Sequence, residues 1–340
     1  PGTGGAGGGG GAADLQAPAT LASGWYHACR IEPTRRLTCW GANSAGQLGA
    51  GFTSTSEPPL EVPGLEGVRE VALGFAHSCA LLDDGDVYCW GRNSEGQVTG
   101  AGSLSVTSPT RVALPLEARG IGVGYQHSCA ILVDDTAMCW GDNANGKLGD
   151  GTTEERTAPV AVAGLHGIAR IDGGQSHTCA LLQDSEVYCW GSNYNNQIGN
   201  GGPPFGDDEL TPVLVTGIGG VPTALVVRSN HTCVRTSDET LWCWGRNVNG
   251  QLDESLDPFV PVPTELPGRT GVDRFASGDQ HSCALQDRAV TCWGTPHQAN
   301  DVGQANAPAI ADAVQVSAGG MHSCALRETG ETACWGDIVT

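Results

Sequence analysis

Short apolar runs separated by polar turns recur along the whole chain. In the second copy, the runs 79–82 (Cys-Ala-Leu-Leu) and 87–90 (Val-Tyr-Cys-Trp) flank a polar turn that contains Gly85. Two such runs around a short glycine-containing loop predict an antiparallel hairpin, with the glycine in the left-handed conformation. An apolar run before each hairpin, such as 68–73, and a Pro-marked run after it, such as 58–62, predict two more strands. No sustained helical period occurs, so each unit is predicted to be a four-stranded sheet.

The unit recurs seven times, with a Gly-x-x-His, a first Cys, a second Cys and a Trp-Gly in nearly every copy. Successive first cysteines lie 50, 50, 50, 54, 50 and 41 residues apart. A period near fifty with four strands is typical of propeller blades. We therefore predict an all-β fold, a closed seven-bladed β-propeller of four-stranded antiparallel blades, spanning residues 14–340. Residues 15–20 are expected to supply the last strand of blade 7. Residues 1–13 are predicted to be a flexible Gly-rich linker.

The pairing of the cysteines follows from the hairpin register. A three-residue loop places Cys79 directly opposite Cys89, at a separation that a disulfide can bridge after small adjustment. The two cysteines of copy six are one residue closer in the chain, and a two-residue loop at Asp287-Arg288 keeps them directly opposite each other. Free buried cysteines, metal ligation and Cys-His catalysis explain seven opposed pairs less well. One disulfide per blade is predicted, joining Cys29 to Cys39, Cys79 to Cys89, Cys129 to Cys139, Cys179 to Cys189, Cys233 to Cys243, Cys283 to Cys292 and Cys324 to Cys334.

Composition and charge restrict the partners. The net charge is −20 and Lys147 is the one lysine, which argues against nucleic acid and anionic membranes. No apolar run is long enough to span a bilayer, so we expect no direct membrane insertion. Fourteen cysteines in register predict an oxidising location, namely the extracellular medium, the cell surface or the periplasm.

Three motifs together resemble the regulator of chromosome condensation repeat family. They are Gly-x-x-His-Ser-Cys-Ala-Leu, Val-Tyr-Cys-Trp-Gly and Asn-x-x-Gly-Gln-Leu-Gly, and the resemblance covers roughly residues 15–340. It implies a seven-bladed propeller. It implies less about activity, because relatives include a nucleotide exchange factor, a photoreceptor, ubiquitin-ligase modules and a secreted inhibitor. The paired cysteines depart from the usual family pattern and fit an exported member. Copy five lacks the glycine of Gly-x-x-His, and copy six has lost the Asn-x-x-Gly-Gln loop.

Residues that every copy contains are expected to serve the fold. The seven histidines are predicted to hydrogen-bond across a turn, and the Trp-Gly tryptophans are predicted to pack between blades. Residues 142–150 superficially resemble a calcium loop, but oxygen ligands do not alternate before Gly146. We therefore predict no metal and no cofactor.

The two positions between Gly and His vary while their surroundings repeat. All seven turns are expected on one face of the ring, where three consecutive copies carry Trp, Phe and Tyr. Clustered aromatic residues on a rigid face are typical of protein interfaces. Packing of these rings into the channel or against a neighbouring blade is the alternative. The predicted binding residues are Trp25, Tyr26, Phe75, Tyr125, Gln126, Gln175, Asp279 and Met321. The acidic insertion Phe205–Glu209 is a second candidate surface.

The sequence thus predicts a secreted or cell-surface scaffold, inhibitor-like in type, that binds a protein partner through the Gly-x-x-His turns. A monomer without enzymatic activity is expected. No nucleophile-base pair or carboxylate dyad departs from the repeat pattern. The alternatives are an enzyme with its site at the mouth of the central channel, a nucleotide exchange activity by family resemblance, and a structural or adhesive module.

Overall fold

The computed structural model describes residues 20–100, 103–203, 205–294 and 302–338. These residues form 26 strands and no helix, so none of the described segments is a helix that could span a membrane. In chain order the strands are β1 Leu21–Ser23, β2 His27–Ile31, β3 Leu37–Asn43, β4 Ser54–Glu61, β5 Val68–Leu73, β6 His77–Leu82, β7 Val87–Arg92, β8 Ser105–Arg111, β9 Ala118–Val123, β10 His127–Leu132, β11 Ala137–Gly141, β12 Arg156–Ala161, β13 Ile168–Gly173, β14 His177–Leu182, β15 Val187–Gly191, β16 Glu209–Leu214, β17 Pro222–Arg228, β18 His231–Thr236, β19 Leu241–Arg246, β20 Phe259–Glu265, β21 Arg274–Ser277, β22 Ser282–Gln286, β23 Ala289–Trp293, β24 Ala313–Ala318, β25 His322–Arg327 and β26 Thr332–Gly336.

The strands form seven antiparallel sheets in sequence order, which confirms the predicted seven-bladed β-propeller. Five blades have four strands, from β1–β4 to β17–β20. In blades 6 and 7 the described residues form three strands each, β21–β23 and β24–β26. Blade 6 is the shortest copy, since 41 residues separate Cys283 from Cys324 where 50 separate most pairs. The first strand of each blade lines the central channel.

The hairpin register is the one predicted from the loop length. Cys79 pairs with Cys89, and the Leu82 amide donates to the Asp86 carbonyl at 3.0 Å. In blade 6, Asp287 and Arg288 both have positive φ (47° and 67°), as the mirror-image two-residue turn requires. The loop length therefore determines which residues face each other in every blade.

Disulfides join all seven opposed pairs of cysteines, with Cα atoms 4.0–4.1 Å apart. No cysteine of the chain is free. The predicted disulfide framework is therefore confirmed in each blade. The bonded pairs are Cys29 with Cys39, Cys79 with Cys89, Cys129 with Cys139, Cys179 with Cys189, Cys233 with Cys243, Cys283 with Cys292, and Cys324 with Cys334.

The hydrophobic core lies between neighbouring blades, one layer at each junction. At the junction of blades 1 and 2, Leu37 and the Cys29–Cys39 disulfide pack against Val71 and Trp90. A single blade cannot bury its faces alone, so the ring must close to complete the last junction. Gln315 of blade 7 closes it, because its Oε1 accepts from the Leu21 amide at 3.2 Å and its Nε2 donates to the Leu21 carbonyl at 2.9 Å. The predicted linker 1–13 and residues 15–19, expected to complete blade 7, lie outside the described residues.

A chain of hydrogen bonds, which we call the latch, joins neighbouring blades at five junctions. Between blades 1 and 2, Ser78 Oγ lies 2.9 Å from His27 Nε2 and donates to the Gln47 carbonyl at 2.8 Å. Trp90 Nε1 donates to the same carbonyl at 2.8 Å. Because Ser78 gives its one proton to the carbonyl, His27 must donate through Nε2–H. The prediction that the histidine hydrogen-bonds across a turn is wrong, since the partner of its ring is a side chain of the next blade. The packing role of the tryptophans is confirmed.

The latch histidine reaches a serine or threonine of the next blade at four other junctions. The pairs are His77–Ser128 (3.0 Å), His127–Thr178 (2.9 Å), His177–Thr232 (2.9 Å) and His281–Ser323 (2.7 Å). At the junction of blades 7 and 1, the hydroxyl position is Ala28. Accordingly, His322 Nε2 has no hydrogen-bond partner among the described residues, and His231 Nε2 also has none.

The loop that carries the latch carbonyl is retained in blade 6, contrary to the prediction that copy six has lost it. The Gln304 carbonyl accepts from Ser323 Oγ at 3.0 Å and from Trp335 Nε1 at 2.9 Å, as the Gln47 carbonyl does in blade 1. Gln304 Oε1 also accepts from the Val302 amide at 3.0 Å. The shortened copy keeps the residues that close this loop, Gly303 and Gln304, ten or more positions beyond Trp293.

Blade 3 carries Lys147 where most blades have this glutamine. The glutamine side chain accepts a hydrogen bond from the backbone amide two residues earlier, as Gln47 Oε1 does from Ala45 at 2.9 Å. The ammonium group of Lys147 cannot accept such a bond. Asp142 bonds a neighbouring amide of this loop instead, because Oδ1 accepts from the Ala144 amide at 2.9 Å, and its Oδ2 pairs with Lys147 Nζ. Asp142 therefore supplies the counter-charge of the buried ammonium.

Candidate functional site

The Gly-x-x-His turns gather at one end of the propeller, which we call the turn face. Each turn closes on itself, as where the Gly24 amide donates to the His27 carbonyl at 2.8 Å. Neighbouring turns are also joined, since the Tyr125 amide donates to the Gly174 carbonyl at 3.0 Å. A Cβ atom at Gly24 would lie 2.4 Å from the His27 ring, so glycine is required by this close approach. The two variable positions thus sit on a rigid frame.

Trp25, Phe75 and Tyr125 form one aromatic cluster on the turn face. The ring centroids of Trp25 lie 4.7 Å from Tyr125 and 5.2 Å from Phe75, and Phe75 lies 5.9 Å from Tyr125. All three side chains are half-buried. The contact between Trp25 and Tyr125 joins blades 1 and 3, so the rings converge toward the channel and do not form an open crescent along the rim. Blade 7 makes room for this with Gly320, where a Cβ atom would lie 2.8 Å from the Trp25 ring.

A polar contact crosses the channel mouth beside the aromatic cluster. The Tyr125 hydroxyl of blade 3 donates to Asp279 Oδ1 of blade 6 at 3.3 Å, and Ser229 of blade 5 donates to the same oxygen. Burial raises the pKa of Tyr125 well above its usual value, and the Asp279 charge raises it further. The phenol is therefore neutral, as its donation to a carboxylate requires.

Below the mouth, the channel contains charged side chains that come from three blades. Arg228 of blade 5 donates to the Leu73 carbonyl at 3.2 Å and to the Ser23 carbonyl, and so reaches blades 2 and 1. Burial raises the pKa of Asp172 to about 6, against the opposing charge of Arg228. Burial likewise raises the pKa of Glu70 to about 6. These groups line a cavity of about 230 Å³.

Comparison with known proteins agrees with this architecture. Residues 12–284 match the RCC1-like domain. The chain belongs to the RCC1-like domain family. Among curated relatives, the human E3 ubiquitin-protein ligase HERC2 is 29% identical over 149 residues, which cover 38% of this chain and 3% of the ligase. The mitochondrial RCC1 domain-containing protein RUG3 of Arabidopsis thaliana is 29% identical over 119 residues, covering 31% of this chain and 27% of RUG3. The chain thus spans a small part of the curated relatives that it matches.

Solved structures show the same fold. The human WBSCR16 structure aligns with a TM-score of 0.78 at 21% identity, covering 88% of this chain and 89% of that one. Yeast RCC1 (Prp20), solved with Kap60, aligns with a TM-score of 0.73 at 19% identity, covering 94% and 80%. The ectodomain of the Arabidopsis thaliana receptor kinase ACR4 aligns with a TM-score of 0.59 at 18% identity, covering 94% and 95%.

This RCC1-like propeller places Tyr26 and Asp279 against the aromatic cluster, and the other predicted binding residues lie in the turns of the same face. Tyr26 lies beside the aromatic cluster, 6.0 Å from Trp25 and 6.1 Å from Phe75, and is 38% exposed. Gln175 is exposed, and its Oε1 accepts from Asn230 Nδ2 at 3.0 Å. Asp279 is engaged with Tyr125. Gln126 and Met321 are half-buried on the same face, in the turns of blades 3 and 7.

Sequence reasoning missed Arg228, which occupies the glycine position of copy five. The sequence shows that this copy lacks the glycine, but it does not show which groups the arginine side chain contacts. Only the closed ring shows that the arginine side chain crosses the channel to the carbonyls of Ser23 and Leu73. A charged residue in the place of a required glycine was the available signal.

Proposed function

We propose that this RCC1-like propeller is an exported scaffold without enzymatic activity that binds a protein partner through its turn face. The contact is centred on the aromatic cluster and Tyr26, with Gln175 and its neighbours as the polar part of the surface. An inhibitor that occupies the binding surface of its target is one form of such a scaffold.

One observation carries the proposal. Between the constant Gly and His, each blade has two positions whose side chains differ from copy to copy. The frame does not require a particular side chain there, yet three adjacent blades place aromatic rings in mutual contact and leave them half-exposed. Aromatic anchors in such a setting each contribute about 2 kcal/mol or more to protein binding. The latches and disulfides hold the frame in place, so little ordering is needed when a partner binds.

The relatives support a protein as the partner. Yeast RCC1 was solved bound to Kap60, and another structure of Prp20p from Saccharomyces cerevisiae is described with its binding to Gsp1p and histones. The present chain has a net charge of −20, which favours a partner with a basic surface.

The disulfides support an extracellular, cell-surface or periplasmic location, because reducing compartments do not maintain seven such bonds. Thiol labelling of the protein in its native cell fraction tests this point. We expect no labelling of the fourteen cysteines before reduction. Labelling of free thiols in the freshly isolated protein would contradict export.

An enzyme site at the channel mouth is less well supported. The Tyr125–Asp279 contact occupies the mouth, and the carboxylates of the channel are bound to backbone amides, as Asp172 is to Val227 at 2.9 Å. Nucleotide exchange, the other alternative, requires a GTPase partner in a reducing compartment, where the disulfides would not persist.

Photocrosslinking tests the turn face directly. A benzophenone amino acid at position 26 should crosslink to a discrete protein in the native extracellular fraction. The same probe at Val133, which is 52% exposed in a hairpin turn at the opposite end, is the control. A second measurement uses the change of Trp25, Phe75 and Tyr125 to alanine, with the fold checked by circular dichroism. Equal crosslinking at both positions, or unchanged partner binding by a folded triple variant, would refute the proposal.

A further inference from the structure

The acidic insertion of blade 4 builds a second aromatic surface, distinct from the aromatic cluster. Tyr194, Phe205 and Phe259 form this rim patch, with ring centroids 4.7 Å apart for Tyr194 and Phe205 and 6.0 Å apart for Phe205 and Phe259. Tyr194 is 57% exposed and Phe205 is 60% exposed. The backbone fixes the pair, because the Phe205 amide donates to the Tyr194 carbonyl at 3.0 Å.

The rim patch lies at the outer edge of the turn face, between blades 4 and 5. Tyr194 follows β15, whose last residue, Gly191, pairs with His177 at the turn-face end of the blade. Phe259 begins β20, the outermost strand of blade 5, opposite Arg246. The patch therefore lies at the same end of the ring as the aromatic cluster. It is carried by the outer strands of the blades, whereas the first strands line the channel.

Carboxylates surround these rings. Asp207 and Asp208 follow Phe205 and are exposed, and exposed Asp257 precedes Phe259 by two residues. Asp208 accepts from Asn145 Nδ2 at 2.8 Å. The ion pairs found among the described residues include none with Asp207, Asp208 or Asp257. The patch therefore offers aromatic faces and negative charge without a cation of its own.

Phe205 is an unfavourable residue for the fold alone. Its φ of 67° lies in the left-handed region, which disfavours a residue with a bulky side chain. Its ring also remains in water, where it gains little from burial. Glycine at this position would be less strained, so the ring is better explained by what it can bind than by what it stabilises.

We propose that the rim patch binds a basic segment of a protein partner, with an arginine or lysine side chain placed over the rings of Tyr194 and Phe205. The cation is attracted by the ring faces and by the carboxylates of Asp207 and Asp208, which form no ion pair with another described residue. This complementarity selects a cationic partner over an apolar or acidic one. The surface acts in addition to the turn face and does not depend on it.

A rhodamine-labelled peptide of alternating glycine and arginine with three arginines serves as the probe, measured by fluorescence anisotropy at low salt. Its reference is the same peptide with citrulline in place of arginine, which keeps the shape and removes the charge. The arginine peptide should bind and the citrulline peptide should not. Phe205→Leu keeps an apolar side chain but removes the ring face, and should weaken binding about fivefold. Phe52→Leu, at an exposed phenylalanine in a blade 1 loop, should leave binding unchanged.

Two further variants separate this site from diffuse charge and from a folding role. Asp207→Asn with Asp208→Asn should weaken binding and reduce its salt dependence, whereas Asp134→Asn with Asp184→Asn, in hairpin turns at the opposite end, should not. Phe205→Gly should lose binding while the melting temperature rises. Unchanged binding by Phe205→Leu, equal losses from both carboxylate pairs, or a lower melting temperature for Phe205→Gly would overturn the proposal. Tyr26 variants should not alter peptide binding. Failure of the turn-face proposal can therefore be distinguished from failure of the rim-patch proposal.

Discussion

Acidification should destabilise this propeller strongly, because the latch histidines are held neutral. Burial lowers the pKa to about 3 for His27, His177, His231 and His322 and to about 4 for His77 and His281. Burial also lowers the pKa of His127 well below 6.5. Protonation would place a second N–H on Nδ1, an atom with no hydrogen-bond partner among the described residues in any of the seven rings.

The sign follows from proton binding in the two states. In the unfolded chain these histidines titrate near 6.5, so below that pH the unfolded chain binds more protons than the folded one. Stability is therefore full above pH 6.5 and is lost as the pH falls toward 3–4. Between pH 7 and pH 5, each histidine contributes a loss of about 2 kcal/mol, or about 12 kcal/mol for the six with assigned values.

Two buried carboxylates oppose this trend. The pKa values of Glu70 and Asp172, raised to about 6, make the folded protein bind protons before the unfolded chain does. Together they raise the free energy of unfolding by about 2–3 kcal/mol between pH 7 and pH 5. The net expected loss is about 9 kcal/mol, with about four protons taken up on unfolding near pH 5.5.

Urea unfolding at pH 7, 6 and 5, with disulfides intact and tryptophan fluorescence as the signal, measures this loss. His77→Gln should reduce the difference between pH 7 and pH 5 by about 2 kcal/mol. His166→Gln, at an exposed loop position, is the matched control and should leave the difference unchanged. A free energy of unfolding that changes by less than about 3 kcal/mol over this range would show that the latch rings are not neutral and buried as described.

Three other predictions concern the same framework. Ser78→Ala should cost about 1–3 kcal/mol in urea unfolding, because it leaves His27 Nε2 without an acceptor; a neutral effect would contradict the latch. Lys147→Gln should be nearly neutral, since glutamine is the residue at the equivalent position of blade 1, Gln47. Asp142→Ala should cost about 3 kcal/mol or more, because it leaves the ammonium of Lys147 unpaired. Equal effects of the two changes would be inconsistent with this pairing. Cys79→Ser with Cys89→Ser opens a loop of about ten residues and should lower stability by about 2–3 kcal/mol, and full reduction should lower the melting temperature; an unchanged melting temperature would refute the stabilising role of the disulfides.

Much of the fold could be predicted because it is local. The loop between Leu82 and Asp86 determines which residues face each other across the hairpin, and so it places Cys79 opposite Cys89. The same reasoning predicted the two-residue turn at Asp287 and Arg288. A blade repeated seven times cannot bury its faces alone, so the closed ring also follows from the sequence.

Contacts between blades could not be predicted in this way. The partner of His27 is Ser78, 51 residues away, and it is determined by how one sheet packs on the next. Blade 6 is a different case, because the Asn-x-x-Gly-Gln motif is present there as residues 300–304, four positions later after Trp-Gly than in blade 1, and the prediction missed it.

The sequence by itself determined the blade, its disulfide and the set of variable positions on the turn face, because residues within one hairpin are placed by chain geometry alone. Only the tertiary structure decided what those positions do. It turned Trp25 and Tyr125 toward each other across a blade, joined Tyr125 to Asp279 on the far side of the mouth, and placed Phe205 beside Phe259 of the next blade. These pairs lie far apart in the chain, and they meet because closure of the ring fixes the direction of each side chain relative to the channel and to the neighbouring blade.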